Sequence, residues 1–193
     1  MSPHPKLPPE PQKPLWEILS RQAVYDASPW IRVERQRIRL PDGRVIDDYH
    51  QLLLPDYAIV FAETDDGRVI MQRQYKHGVG CVTLTLPGGL LRSGEDALLG
   101  AQRELLEETG YEAPDWRFLG QFVQNSNYGG SRGHLFAARA ARWVVAPDAG
   151  DLEEIEVVMM PRAEVVAALG RNEIQVSSFA AAIAMATHPA FGG

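Results

Sequence analysis

One cysteine in the whole chain, Cys81, excludes an intrachain disulfide and any zinc cluster built on thiolates. A lone cysteine in such a chain reads as a small buried apolar residue. No apolar run approaches the roughly 18–20 residues that a membrane helix requires, and the first residues form no apolar leader. A soluble, cytoplasmic protein with no membrane partner is the default these absences leave. Positive charge is also short: 19 Lys and Arg stand against 25 Asp and Glu, a formal net charge of -6. The basic face that a nucleic-acid backbone demands is therefore not expected, while small nucleotides stay open as ligands. No repeat of 20–50 residues appears, which sets aside a solenoid.

What is present is an ordinary folded composition, 45% hydrophobic and 23% charged, on 193 residues, enough for one well-buried core with a small appendage. Residues 1–14 are too rich in proline for helix or sheet and read as an extended arm. From Trp16 to about Leu54, short apolar runs alternate with turn signals; Ile31, Val33, Ile38 and Leu40 fall in period-two strings, and Asp42-Gly43 marks a hairpin. A second hairpin is expected around Asp66-Gly67. Further strands are read in "WRFLGQFVQ", "GHLFAARAA" and "EIEVVMMP", and closing helices in "RAEVVAALGRN" and "SSFAAAIAMATH". Strands on both sides of a central helix, with helices at the end, predict an α/β layered fold.

The central helix carries the chemistry. Ser93 is its expected N-cap, with Asp96 three residues on; the helix is expected over about 95–109, with Gly110 as its stop. Leu98, Ala101 and Leu105 form an apolar stripe. At about 100° per residue, Glu104, Glu107 and Glu108 share an arc of roughly 100°. Glu104 and Glu108 are a like-charge i,i+4 pair, which costs a few tenths of a kcal/mol, with Arg103 as the local offset. Hard carboxylate oxygens in this arrangement suit Mg²⁺, which keeps waters and takes substrate phosphate oxygens as its other ligands. A solvated acidic face would show the same charge pattern. The Pro87-Gly88-Gly89 loop just ahead favours the metal, since it permits a tight bend that exposes carbonyl and amide groups.

These residues resemble the Nudix hydrolases. That family's box is a Gly, five residues, a Glu, seven residues, Arg-Glu, an aliphatic residue, any residue, Glu-Glu, any residue, a Gly and an aliphatic residue. Here it reads Gly89, Glu95, Arg103-Glu104, Leu105, Glu107-Glu108 and Gly110, with aromatic Tyr111 in the last place. The resemblance implies Mg²⁺-dependent hydrolysis, with Mn²⁺ as a substitute, of a nucleoside diphosphate linked to another group. It places Glu104, Glu107 and Glu108 as metal ligands, Gly88 as a carbonyl ligand, and Glu95 with Arg103 as an orienting ion pair.

The wider chain resembles the ADP-ribose pyrophosphatase branch in its "RQYKH" at Arg73–His77, its β-rich N-terminal segment and its acidic loop followed by "EVVMMPRAEV". The branch implies a homodimer through the N-terminal strands, with Trp16, Trp30 and Tyr49 as base contacts or plain packing residues. Two departures leave another nucleotide sugar open as substrate, and a hydrolase of a damaged nucleoside triphosphate and a non-catalytic nucleotide-sensing module stand as further alternatives. Leu84-Thr85 stands where the branch often has an aromatic-Glu pair, and "QNSNYGGSRGH" replaces a Ser-Pro-Gly loop.

A general base is expected from the acidic loop, Glu153 first as base or extra metal ligand and Asp151 next, with Glu154 beside them and a solvated loop as the alternative. Arg73, Gln74, Gly89 and Arg132 are the candidate substrate contacts, the arginines through their bidentate fork. His134 and His77 are read as strand and loop residues. The expected architecture is a Nudix fold, a mixed β-sheet layered between helices with an N-terminal antiparallel β extension. Its divisions are an arm at 1–14, a dimerising β subdomain at 15–54 and a Nudix domain at 55–193.

Overall fold

The structure, a computed structural model, describes residues 15–148, 150 and 154–191. The proline-rich arm, Asp151 and Glu153 lie outside the described residues. In chain order the strands are β1 (Glu17–Ala27), β2 (Ile31–Arg39), β3 (Val45–Leu53), β4 (Tyr57–Thr64), β5 (Arg68–Lys76), β6 (Cys81–Thr85) and β7 (Gly88–Leu90). Helix α1 (Ala97–Thr109) follows, then β8 (Tyr111–Glu112), β9 (Asp115–Asn125), β10 (Gly129–Trp143), β11 (Glu156–Pro161), α2 (Arg162–Gly170) and α3 (Ser177–Thr187). They fall into two compact units, residues up to Pro55 with Val123–Ser131, and Asp56–Phe122 with Arg132 onward. The segment Val123–Ser131 thus packs with the N-terminal strands although it lies far along the chain.

In the first unit β1, β2 and β3 form an antiparallel meander. The β2–β3 turn uses Gly43 at φ 87°, where the Gly43 N–H donates to the Leu40 carbonyl at 2.9 Å. The two apolar strings read on β2 meet within one strand with opposite parity. Ile31 and Val33 have odd parity and Ile38 even, and the strand shelters the even set, Glu34, Gln36 and Ile38, with a register shift between Gln36 and Ile38. Buried Glu34 is balanced by Arg32, whose Nη2 lies 2.7 Å from its carboxylate. The Val123–Ser131 segment is tied on by polar contacts: Tyr49 Oη and Gln51 Nε2 donate to the Asn127 carbonyl at 2.6 and 2.8 Å.

In the second unit a mixed sheet runs in the order β10-β4-β5-β11, with β10 and β4 parallel and the other pairs antiparallel, and β6 and β7 pairing β5 and β4. The apolar run of β4 is buried on both faces, as a strand covered by helices on each side should be. Ala58, Val60 and Ala62 join Ile70, Ala101 and Leu105 in one cluster under α1. Ile59 and Phe61 join Val69, Met71 and residues of α2 and α3 in the other. Each fully buried Ile, Leu or Phe side chain contributes about 1.5–3 kcal/mol. The sheet is therefore a mixed layer between α1 on one face and α2 with α3 on the other.

Candidate active site

The approach to α1 is built on two glycines that have no room for a side chain. A Cβ on Gly88 would lie 2.3 Å from the Ala58 carbonyl oxygen, and one on Gly89 would lie 2.5 Å from a Glu104 carboxylate oxygen. Short strand β7 is therefore a thin spacer between β4 and the helix. A turn follows, with the Glu95 N–H on the Arg92 carbonyl at 2.9 Å and the Arg92 N–H on Glu95 Oε2 at 2.8 Å. Because this turn consumes Ser93 and Gly94, the cap is Asp96 and not Ser93, and the helix starts at Ala97. Asp96 Oδ1 accepts the Leu98 and Leu99 N–H groups at 2.9 and 3.2 Å.

At the other end Gly110 stops the helix at φ 75°, as expected. A strap from beyond β10 then covers the helix terminus. Val144 and Val145 donate to the Gly110 carbonyl at 2.8 and 3.3 Å, and the Asp148 N–H donates to the Glu107 carbonyl at 2.8 Å. These bonds satisfy carbonyls that a helix end leaves without intrahelical partners.

Arg103 organises the acids. Its Nε and Nη2 fork onto the two oxygens of Glu95 at 2.9 and 3.0 Å. Its Nη1 donates to Glu104 Oε1 at 2.6 Å and to Glu107 Oε2 at 2.9 Å, and its Nη2 reaches the Leu90 carbonyl at 3.2 Å. The Arg103 hydrogen bond, ahead of all other causes, lowers the Glu95 carboxyl from 4.5 to about 2, and Glu95 in turn raises the Arg103 guanidinium. Arg103 is not the sole local offset: Arg92 Nη2 lies 3.5 Å from Glu107 Oε1.

Glu108 faces the other way, into the sheet, and is 7% exposed. Its Oε2 accepts from Gln72 Nε2 and from the Gly88 N–H, both at 2.8 Å. Gln72 is fully buried, and an unbonded amide there would cost about 1–3 kcal/mol. Behind it, Gln74 Nε2 and Thr85 Oγ1 donate to Gln72 Oε1 at 3.0 and 3.3 Å, and Gln74 Nε2 also donates to Thr85 Oγ1 at 2.8 Å.

Among the described residues no three His, Cys, Asp or Glu side chains are gathered as a closed metal cage. The donor chemistry nonetheless fits a divalent cation of the Mg²⁺ type, which takes one or two protein carboxylates and fills its shell with water and phosphate. Glu104 and Glu107 already turn their oxygens onto one cationic nitrogen, Arg103 Nη1.

The candidate substrate contacts divide. Arg132 donates its backbone N–H to Asp56 Oδ1 at 2.7 Å and precedes Gly133, which pairs with Tyr57; Tyr57 pairs in turn with Leu90 of the box loop. Gly89 touches Glu104, as above. Gln74 is buried, with its amide bonded to Gln72 and Thr85, so its place is behind the site. Arg73 lies on the face away from the box glutamates: β5 alternates, Gln72 points to the α1 side, and Arg73 points to the α2–α3 side, where it pairs with Glu156 at 3.0 Å. At Gly88 it is the N–H that meets the box, donating to Glu108 Oε2. His134 lies 4.0 Å from Asp56, and burial lowers its pKa. Trp16 packs edge-on to Tyr49 at 5.6 Å between ring centroids, while Trp30 is 68% exposed. Cys81 is only partly buried, its Sγ 3.7 Å from Gln175 Oε1. Sequence reasoning missed Gln72, because a glutamine inside a strand carries no spacing signal of its own.

An acidic helix behind a two-glycine loop, laid on a mixed sheet between helical layers, defines a Nudix hydrolase. The NUDIX domain family matches residues 53–181, and the nucleoside diphosphate sugar hydrolase N-terminal domain matches residues 16–52. The chain belongs to the Nudix family. It is 33% identical over 176 residues to an ADP-ribose pyrophosphatase of Mycobacterium tuberculosis, covering 90% of this chain and 83% of that protein. It is 30% identical over 121 residues to an ADP-ribose pyrophosphatase of Bacillus subtilis, covering 63% of this chain and 64% of that one. A CMP-5'-(N-acetyl-N-hydroxy-3-aminopropyl)phosphonate hydrolase of Streptomyces rubellomurinus is 28% identical over 132 residues, 68% of this chain and 63% of the relative. A crystal structure of an ADP compounds hydrolase shares the fold at TM-score 0.75 and 22% identity, covering 87% of this chain and 90% of that one. Among the described residues no helix is long and apolar enough to cross a membrane.

Proposed function

We propose that this Nudix hydrolase cleaves the diphosphate of ADP-ribose, giving AMP and ribose 5-phosphate, with Mg²⁺ as its metal and Mn²⁺ as a substitute. The observation that carries the metal reading is the convergence of the Glu104 and Glu107 carboxylates on one cationic nitrogen. The substrate reading is supported by similarity to two ADP-ribose pyrophosphatases over much of the chain.

Glu104, Glu107 and Glu108, with the Gly88 carbonyl, are the groups to hold the metal, which when bound supplies charge neutralisation at the diphosphate oxygens and activation of water. Glu95 keeps Arg103 anchored by its two-point fork, so the guanidinium can release Glu104 and Glu107 without leaving the site. Gly89 lets the loop lie against Glu104, and Arg132 is the residue to offer a fork to a phosphate. Glu153, with Asp151 next, takes the proton of the attacking water. Dimerisation through the first unit is part of the same reading, supported by Ile18, Val24 and Tyr25, which β1 leaves exposed.

A second substrate reading, another nucleotide-linked phosphate compound, is favoured by the similarity to the CMP-phosphonate hydrolase. Product analysis decides. The purified protein is incubated with Mg²⁺ and a panel of ADP-ribose, other nucleotide sugars, dinucleotides and nucleoside triphosphates, with Glu108→Gln alongside. AMP and ribose 5-phosphate are expected, reduced by roughly 100-fold or more in the variant with its circular dichroism unchanged. Preferred turnover of another member moves the substrate. No turnover on any member, with tight ADP-ribose binding, replaces the enzyme by a sensing module.

A further inference from the structure

We infer that Gln72 is a positioning residue for the reaction, holding the Glu108 carboxylate in one orientation from behind. The inference rests on the reading of Glu108 as a metal-holding residue and deepens it. Glu104 and Glu107 are held by Arg103, a long side chain that also serves Glu95 and Leu90. Glu108 is held differently: Gln72 Nε2 and the Gly88 N–H both donate to one of its oxygens, Oε2. One donor is a backbone group on β7 and the other sits on β5, so the carboxylate is gripped between two strands of the sheet.

The grip has a direction. An amide can present either its oxygen or its nitrogen to a neighbour, and what stands behind it decides which. Gln72 Oε1 accepts from Gln74 Nε2 and Thr85 Oγ1, so the NH₂ group is turned to Glu108. A flipped amide would set its oxygen against the Glu108 carboxylate and its NH₂ against the NH₂ of Gln74. Thr85 completes the lock, accepting from Gln74 and donating to Gln72. These side chains share the α1-facing side of β5 and β6, since Gln72 pairs with Thr85 and Gln74 with Thr83 in the antiparallel register. Three polar side chains on a buried sheet face thus direct one N–H at one carboxylate oxygen. Groups behind a metal ligand typically change metal affinity or activity by about 10- to 100-fold when removed.

The test measures Mn²⁺ binding to the substrate-free protein by electron paramagnetic resonance, together with kcat and KM in Mg²⁺. The proteins are the parent, Gln72→Met, Gln72→Glu, Thr85→Val and Glu108→Gln. Gln72→Met keeps the length of the side chain and removes the amide; Gln72→Glu puts an acceptor where the donor was; Thr85→Val keeps the shape and removes one lock. The expected result is Mn²⁺ affinity and kcat lower by about 10- to 100-fold in both Gln72 variants, with KM within about 3-fold of the parent. Thr85→Val should fall in the same direction by a smaller factor. If Glu108→Gln itself leaves Mn²⁺ binding and turnover intact, the metal-holding reading fails, and this inference with it. If Glu108→Gln abolishes them while folded Gln72→Met matches the parent, the inference alone is overturned. Should Gln72→Met not fold, Thr85→Val decides, and parental Mn²⁺ affinity and kcat there overturn it equally.

Discussion

Replacing Arg103 by methionine keeps most of the aliphatic stem and removes the cation that three glutamates share. Its side chain is 17% exposed, and those of Glu95 and Glu104 are 14% and 12% exposed. The fall of the Glu95 carboxyl from 4.5 to about 2 corresponds to roughly 3 kcal/mol at neutral pH, an upper figure because water still reaches the pair. The expected loss is therefore at most about 3 kcal/mol, or up to roughly 6–12 °C of thermal midpoint for a chain of this size.

The pH dependence has a definite sign. Glu95 is lowered on folding, so its contribution is complete above pH 4.5 and disappears as pH falls toward about 2. Urea titrations of parent and variant between neutral pH and pH 2 should show a gap that is constant above about pH 5 and closes below it. Mg²⁺ should raise the midpoint of the variant more than that of the parent, since in the parent Arg103 already serves Glu104 and Glu107. A loss below about 1 kcal/mol, or a gap that persists unchanged to pH 2, would refute the reasoning.

Two further contrasts test the ends of the helix. Gly43 and Gly110 both have positive φ, 87° and 75°, but a Cβ at Gly43 meets nothing within 4 Å whereas one at Gly110 falls 1.9 Å from the Val145 carbonyl oxygen. Gly43→Ala should cost about 1 kcal/mol and Gly110→Ala about 3 kcal/mol by chemical denaturation; equal losses would mean that the strap yields freely. At the start of the helix, Asp96→Ala should cost about 1 kcal/mol and Ser93→Ala less than about 0.5 kcal/mol. The reverse order would return the cap to Ser93.

The box was legible because its message lies in spacing. A 3.6-residue period brings Glu104, Glu107 and Glu108 within one arc of the helix, though packing then turns Glu104 and Glu107 to Arg103 and Glu108 into the sheet, and two adjacent glycines announce a close approach. The layered sheet was legible from continuous apolar runs, and its hairpins from Asp-Gly pairs. The face presented by a single residue was not. "RQYKH" reads alike whichever face Arg73 and Gln74 take, and strand parity separates them: Arg73 turns to α2 and α3 and Gln74 to the buried side behind Glu108. The helix start slipped from Ser93 to Asp96 because two acceptable caps stood three residues apart and the Arg92–Glu95 turn chose between them. Thr85, which departs from the branch pattern, takes its meaning only from the register that seats it opposite Gln72.

The strict alternation of β5 makes the strand intolerant of changes in length. A one-residue insertion ahead of Gln72 would exchange the two faces of everything before it or everything after it. Arg73 would then stand in the dry layer behind Glu108, and the amides of Gln72 and Gln74 would be driven among Val165, Phe179 and Ile183. The Asp42-Gly43 and Asp66-Gly67 turns can absorb extra residues, because nothing lies near either glycine to be displaced. Grafting a new loop, tag or reporter into this scaffold should therefore succeed at the hairpin tips and fail within β5, and natural insertions should be distributed in the same way.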